Sequence, residues 1–380
     1  MAIRVGLFTT LDTNLGDDLV REGVCQVLRA ALKAQTVEFL AVNKHRPLTA
    51  YPRWHPVQLS SLAGRLPRAS TRVRLLIERL APRLCPSSRF DGCQLIVQCG
   101  TPVLWHGCSH SEWADLLWRQ VAGRLSRRGV TVLNLGAGSC YAWERQPQRV
   151  DDRQDALFLQ TILGYCRATT VRDRLAQRLL ADLGQPCPLI VCPALLAAGP
   201  KPGRENRAEL LVLNYMEGGG HYDLAQGIDN AGWRATFRRL IERLRPRHRL
   251  LFLCHNERED GLAAALDPTI PRFLPKNAAE FFAGLASAKA ALCNRLHASI
   301  ALAGLGVPSV AVGTDTRLLM VAATGLPALF VKEAVVDHLE QHLEDLLRAR
   351  TSERERLLAL RQRTWDEYAA VVATALSAGA

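Results

Sequence analysis

Short apolar runs alternate with stretches of helical spacing along nearly the whole chain. Residues 3–9 are apolar enough for a buried strand, and residues 15–32 place apolar side chains at three- and four-residue intervals. Further strand runs fall at 37–42, 94–99, 130–135, 168–171 and 188–192. Between them, 112–128, 153–163 and 174–183 have helical periodicity. Strands separated by helices predict parallel βαβ units, because a parallel pair needs the long crossover that a helix supplies.

The pattern breaks at 197–207, where glycine, proline and charge crowd together and read as a linker. A second series follows, with strands at 210–215, 249–254, 290–293 and 309–312 and helices at 233–245, 278–286, 297–305 and 316–323. The last thirty residues, from about Thr351, read as one long helix with Arg and Glu on one face. The expected class is α/β, with two Rossmann-like domains facing a cleft: 1–200, 201–350, and then 351–380 as the C-terminal helix. Ligands of open α/β sheets sit beyond the carboxyl ends of the strands, so the strand-to-helix turns are where chemistry is sought.

Composition narrows the classes. The chain has 380 residues, 48% hydrophobic and 22% charged, which excludes a largely disordered chain. No apolar run approaches the roughly 18 residues of a membrane span. The opening MAIRVGLFTT reads as a first strand, not as a secretory signal. The net charge of +12 comes almost wholly from arginine, since only six residues are lysine. It favours anionic partners such as phosphate esters, nucleotides or lipid headgroups. Aromatic residues make up 6% and no basic stretch is interleaved with them, so nucleic acid is not expected. The eleven cysteines are scattered, with no CxxC, and read as free thiols of a reducing cytoplasm.

Several strand-end turns carry candidate chemistry. Asn14, Gly16, Asp17 and Asp18 follow the first strand, where backbone N–H groups at a helix start can meet an anion; Asn14 and Asp17 serve equally well as helix caps. The turn is neither GxGxxG nor a P-loop. Gly100 and Thr101 follow the strand at 94–99, and His106, Cys108 and His110 alternate behind them without a second ligand pair, so no metal site is expected. Gly136 and Gly138 stand in an expected turn that would let backbone approach a ligand. Arg172 opens a helix and either binds an anion or pairs structurally. The sharpest group is Asn294-Arg295-Leu296-His297: Arg is a permanently charged fork for phosphate or carboxylate, and His transfers protons near neutrality. For His297 the competing reading is a capping or core histidine. Arg317 supplies a further cation after the next strand, and the glycine-rich loop from Met216 to His221 either closes over a ligand or connects.

These segments, in this order, resemble the polysaccharide pyruvyl transferase family: Asn14 to Asp18, Leu135 to Gly138, Val171 to Asp173, Asn294 to His297, and Gly306 to Arg317. The resemblance implies a GT-B-like fold with a C-terminal helix that crosses back to the first domain. It implies phosphoenolpyruvate as donor, held by the second domain, and a saccharide hydroxyl pair as acceptor on the first, giving a pyruvate ketal and phosphate. Arg295 and His297 match the family's Arg-x-His motif, associated with donor binding and catalysis, and Arg317 stands where a basic residue is usual. On this view His297 is the general acid, Asp17 orients or deprotonates the acceptor, and Asn14, Gly16, Asp18, Gly100, Thr101, Gly136, Gly138, Arg172, Asn294 and Arg317 bind substrate. No cofactor or metal is implied. The sequence departs from the family at Cys99-Gly100-Thr101, Cys192-Pro193-Ala194 and Asn214-Tyr215.

Two rival functions keep the fold: a glycosyltransferase using a nucleotide sugar, and a non-catalytic protein binding an anion or a partner. Residues 62–89 carry Arg65, Arg68, Arg72, Arg74, Arg79, Arg83 and Arg89 around Val73, Leu75, Leu76, Ile77 and Leu80. They read either as a helix lying on an anionic membrane or as a solvated face, the second being favoured. The expected location is cytoplasmic, with peripheral contact at the inner face of the membrane if the first holds. Acceptor identity and oligomeric state are not legible.

Overall fold

The computed structural model describes residues 2–11, 14–32, 36–63, 70–100, 102–200 and 209–377. Thr101, most of the expected linker (201–208) and residues 64–69 of the arginine-rich stretch lie outside the described residues.

The alternation of apolar runs and helices builds two parallel sheets. The first holds β1 (Ile3–Thr9), β2 (Val37–Asn43), β3 (Leu95–Cys99), β4 (Pro102–Leu104), β5 (Thr131–Ser139) and β6 (Ala168–Val171). Its order is β2-β1-β3-β5-β4, with β6 also paired to β5. The second holds β7 (Leu210–Asn214), β8 (Arg249–Leu253), β9 (Arg272–Phe273), β10 (Ala288–Cys293), β11 (Ser309–Gly313) and β12 (Ala328–Phe330), ordered β12-β11-β10-β7-β8-β9. Counted within that sheet the order is that of a dinucleotide-binding fold, and its direction reverses between β7 and β10. In the first sheet the reversal falls between β1 and β3. Each reversal opens a crevice at the carboxyl ends of two strands, because their crossover helices leave on opposite faces. The central strands are buried on both faces, which explains near-continuous apolar runs such as Leu95–Cys99, buried at every position and broken only by Gln98.

The helix Leu15–Ala31 leaves β1 and packs Leu15, Leu19 and Val20 into a core shared with Leu296, Ile300 and Leu302 of the helix Leu296–Gly304. The turn Pro193–Leu196 is wedged between these helices: a Cβ on Gly23 would strike the Pro193 carbonyl, and one on Gly304 would strike that of Leu195. The final helix, Arg350–Ser377, buries Leu357 with the second half and Tyr368, Val372 and Ala375 against Val5, Leu7 and Leu133 of the first. It therefore crosses back as expected. Thr316 bonds both ways with Tyr141, N to O at 2.9 Å and Oγ1 from N at 3.0 Å, fastening the end of β11 to that of β5.

Three expectations need correction. The strand expected at 130–135 runs on to Ser139, so Gly136 and Gly138 lie within β5 rather than in a turn. Gly136, at φ 71°, takes up a register shift opposite β6 that a side chain would resist. Residues 188–192 form no strand. They touch β6 through two backbone bonds, because Pro188 and Pro193 bring no N–H to a ladder. The helix expected at 112–128 contains the π-helix Ala114–Ala122 followed by Gly123–Arg127. The strands β4, β9 and β12 have two or three residues, too few to show a period, and were not anticipated.

Candidate active site

The two sheet reversals face each other, and the strand-end turns gather around one cavity. Asn14, Gly16, Met216, Gly220, His221, His255, Asn294, Arg295, His297, Thr314, Asp315 and Arg317 line it. The structure thus brings together Asn14, Gly16, Asn294, Arg295, His297 and Arg317, which lie up to three hundred residues apart.

Arg295 is held by a buried carboxylate that sequence reasoning missed. Its Nε donates to Glu259 Oε1 at 2.7 Å, and Nη2 lies 2.5 Å from the same oxygen. Glu259 Oε2 accepts from Asn214 Nδ2 at 3.1 Å and from the His255 N–H at 2.9 Å. Asn214, ending β7, takes the Arg295 N–H on Oδ1 at 2.6 Å. Every lone pair of this 3%-exposed carboxylate is thereby engaged, as a buried ion requires. The signal was Asn256-x-x-Glu259, a capping pattern at the start of Glu257–Leu266. Asn294 ties loops together, accepting from the Met216 N–H and donating to the Val312 carbonyl.

His297 meets Arg172 across the cleft. Arg172 Nη1 lies 3.1 Å from His297 Nε2 and 2.5 Å from the Gly100 carbonyl. A guanidinium only donates, so Nε2 accepts and the neutral ring carries its proton on Nδ1. Burial, then the charge of Arg172, holds the imidazole well below its ordinary range. Arg172 is fully buried, and among the described residues no carboxylate bonds to it and its Nε and Nη2 have no hydrogen-bond partner. The neighbouring Asp173 caps Arg174–Asp182 and accepts from the N–H and Oγ of Ser139, so it does not bond Arg172. Arg172 is instead held structurally by the Gly100 carbonyl and Cys192, and it also meets His297.

Arg317 is clamped by Asp315, with Nε to Oδ1 at 2.8 Å and Nη2 to Oδ2 at 2.6 Å, and stacks on Tyr222. Burial works against its charge, but Asp315 outweighs burial and holds the guanidinium above its ordinary value. Two of the three expected anion-binding arginines are therefore already paired, and the three arginines with their two carboxylates leave one positive charge in excess. Lys44, just beyond β2, was also missed. It lies buried over Trp113 at 4.4 Å, and burial, opposed by Asp17 and reinforced by Arg172, lowers it to about 8.

The remaining residues divide. Asn14 caps Leu15–Ala31 through Gly16 N and also lines the cavity. Asp17 accepts weakly from Asn14 Nδ2 at 3.4 Å, whereas Asp18 pairs with Arg21 at 2.7 Å. Gly16 leaves room for His297, whose Nδ1 would lie 3.0 Å from a Cβ there. Gly100, Gly136 and Gly138 are buried away from the cavity: Gly100 holds Arg172 by its carbonyl, and a Cβ on Gly136 or Gly138 would meet Pro193 or Arg172. Cys108 is in the first core and His106 packs edge-on against Tyr141, so the H-x-C-x-H alternation does not converge. Among the described residues no three His, Cys, Asp or Glu side chains are placed to hold a metal ion. Burial raises the thiols of Cys192 and Cys293 beside the site.

The sequence profile of the polysaccharide pyruvyl transferase family matches residues 14–316. No curated protein matches the chain. Among solved structures, a UDP-GlcNAc 2-epimerase from Neisseria meningitidis, bound to UDP-GlcNAc, is similar over 99% of both chains at 10% identity and TM-score 0.52. A Listeria monocytogenes protein assigned as a UDP-N-acetylglucosamine 2-epimerase is similar over 95% of this chain and 91% of its own, at 13% identity and the same score. These likenesses carry the fold alone, the GT-B-like pair of facing α/β domains expected from the sequence.

Proposed function

The chain belongs to the polysaccharide pyruvyl transferase family and is a transferase, and on that premise we propose that it moves the pyruvyl group of phosphoenolpyruvate onto two hydroxyls of a saccharide. Both hydroxyl oxygens bond to C2 of the donor, and the C2–O–P linkage breaks to release phosphate. One hydroxyl hydrogen ends on the methylene carbon, making it methyl, and the other leaves with phosphate or solvent.

The observation that carries this reading is the meeting of Arg172, Arg295 and Arg317 around His297. A donor bearing phosphate and carboxylate needs several fixed cations in a dry site, and the pairing of Arg295 with Glu259 and of Arg317 with Asp315 aims their forks in advance. Arg172, behind the cavity wall, adds a fixed positive charge to the same region through its contact with His297. Burial is the main cause of the low basicity of His297, and a bound anion counters the arginine charges that add to it, favouring the protonated ring that a general acid uses. Asp17, on the acceptor side, orients or deprotonates the hydroxyl. The protein works without a metal or a resident cofactor in this account.

Calorimetry with phosphoenolpyruvate on the wild type and on Arg295→Ala, checked for folding, tests the donor. At least about tenfold weaker binding is expected in the variant, since a charge-assisted hydrogen bond contributes about 1.5–3 kcal/mol. Equal binding, or wild-type binding of UDP-GlcNAc and not of phosphoenolpyruvate, overturns the donor assignment.

The reading extends to where the acceptor is met. No helix among the described residues is long and apolar enough to cross a membrane. Among the described residues, seven of the twelve exposed large hydrophobics lie between Trp54 and Leu84, among them Leu76, Leu80 and Leu84 on the helix Ser70–Leu84. Arg72, Arg79 and Arg83 are exposed beside them and have no acidic partner among the described residues. Leucine stripes edged by unpaired arginines fit an anionic lipid surface at the inner face of the membrane, where a lipid-linked saccharide would be presented.

A further inference from the structure

His255 stands just beyond β8, on the wall of the same cavity. It is 6% exposed, and neither ring nitrogen has a hydrogen-bond partner among the described residues. The other buried histidines differ. His55 takes the Val57 N–H on Nδ1 and bonds the Cys85 carbonyl through Nε2, and His297 meets Arg172. Imidazoles left unpaired away from water are rare, because each polar nitrogen gives up its hydration for nothing. Phe281 approaches the ring edge-on, with centroids 6.5 Å apart, and forms the apolar side of its niche.

The backbone of His255 is not free. Its N–H donates to Glu259 Oε2, and Glu259 Oε1 holds the Arg295 guanidinium. One carboxylate therefore sets an imidazole and a guanidinium together on one cavity wall. We propose that His255 is a ligand-binding residue, which together with Arg295 takes an anionic oxygen of a bound phosphate-bearing ligand. This rests on the donor reading above and names a contact beyond the Arg-x-His motif. Burial, then the charge of Arg295, keeps the free ring neutral, so one nitrogen carries a proton to donate to the anion. A histidine that served packing alone would lose nothing on exchange for an apolar ring.

The test compares wild type with His255→Phe and His255→Gln. Each is titrated calorimetrically with phosphoenolpyruvate, inorganic phosphate and UDP-GlcNAc, and unfolded thermally. His255→Phe is expected to melt at or above the wild-type temperature, because an unpaired polar ring has been removed. It is expected to bind at least about tenfold more weakly whichever anion the wild type binds best. His255→Gln, which keeps a donor, recovers part of that loss and covers the case in which the Phe variant does not fold. Wild-type binding of phosphate or UDP-GlcNAc but not phosphoenolpyruvate, with the loss in the variants intact, overturns the donor reading and upholds His255. Unchanged binding in both variants, or a wild type that binds none of the three, overturns the inference.

Discussion

Replacing Gly16 by alanine puts one methyl group between the two halves of the site. Its carbon would stand 3.0 Å from His297 Nδ1, 3.1 Å from His297 Cβ and 3.3 Å from Asn14 Nδ2. Comfortable contacts of this kind begin near about 3.5 Å, so the imidazole must give by a few tenths of an ångström. Gly16 is buried and its backbone is helical, so the exchange also gains up to about 1 kcal/mol of helix propensity. Overpacking costs about 1–3 kcal/mol, so the net is a loss of about 0–2 kcal/mol. The expected result is a folded, at most modestly destabilised protein whose His297 is pushed toward Arg172. A misplacement of about 1 Å costs roughly a hundredfold in rate, so a shift of a few tenths should cost about three- to tenfold in turnover. The assay is phosphate release from phosphoenolpyruvate with an acceptor that supports wild-type turnover, beside thermal unfolding. Gly261→Ala is the control, since that helical glycine has nothing within 4 Å of the added carbon and should gain stability without losing rate. Wild-type turnover in folded Gly16→Ala refutes the reasoning that His297 works against the Gly16 side of the cleft.

Three further outcomes follow from the same geometry. Arg172→Met removes a fully buried cation whose Nε and Nη2 find no hydrogen-bond partner among the described residues, but also the donor to the Gly100 carbonyl and to His297, so thermal stability should change by no more than about 3 kcal/mol while anion affinity falls at least about tenfold; a large loss of stability with unchanged calorimetric binding would contradict this. His255 and His297 are held below their ordinary range by burial and neighbouring arginines, so the unfolded chain takes up protons that the folded one refuses, and stability is lost as pH falls below about 6.5, at up to about 3 kcal/mol per pH unit; urea midpoints measured from pH 7.5 to 5 check the slope, and His255→Phe should roughly halve it. Vesicles of phosphatidylglycerol and phosphatidylcholine should co-sediment the protein in a salt-sensitive way, and Arg79→Ser with Arg83→Ser should weaken that by roughly tenfold or more, at about 1 kcal/mol per arginine; indifference to vesicle charge would remove the membrane from the account.

Much of the molecule was legible in one dimension. Apolar runs of strand length separated by helical periods determine parallel sheets, because no other arrangement buries both faces of such strands. Polar residues just past the strand ends determine where chemistry gathers, so Asn14, Gly16, Asn294, Arg295, His297 and Arg317 could be placed in one cleft before any contact was known. Tertiary structure alone decided what state those groups are in. The partners of Arg295 and Arg172 lie 36 and 125 residues away in sequence, and spacing along the chain holds no record of which side chains meet through a cavity. Thus the pairing of Arg295 with Glu259 and of Arg317 with Asp315 was hidden, as were the neutral state of His297 and the unpaired ring of His255. Gly136 and Gly138 show the same limit in reverse: glycine announces conformational freedom, but only the packed neighbours Pro193 and Arg172 say whether that freedom serves a ligand or makes room for a side chain.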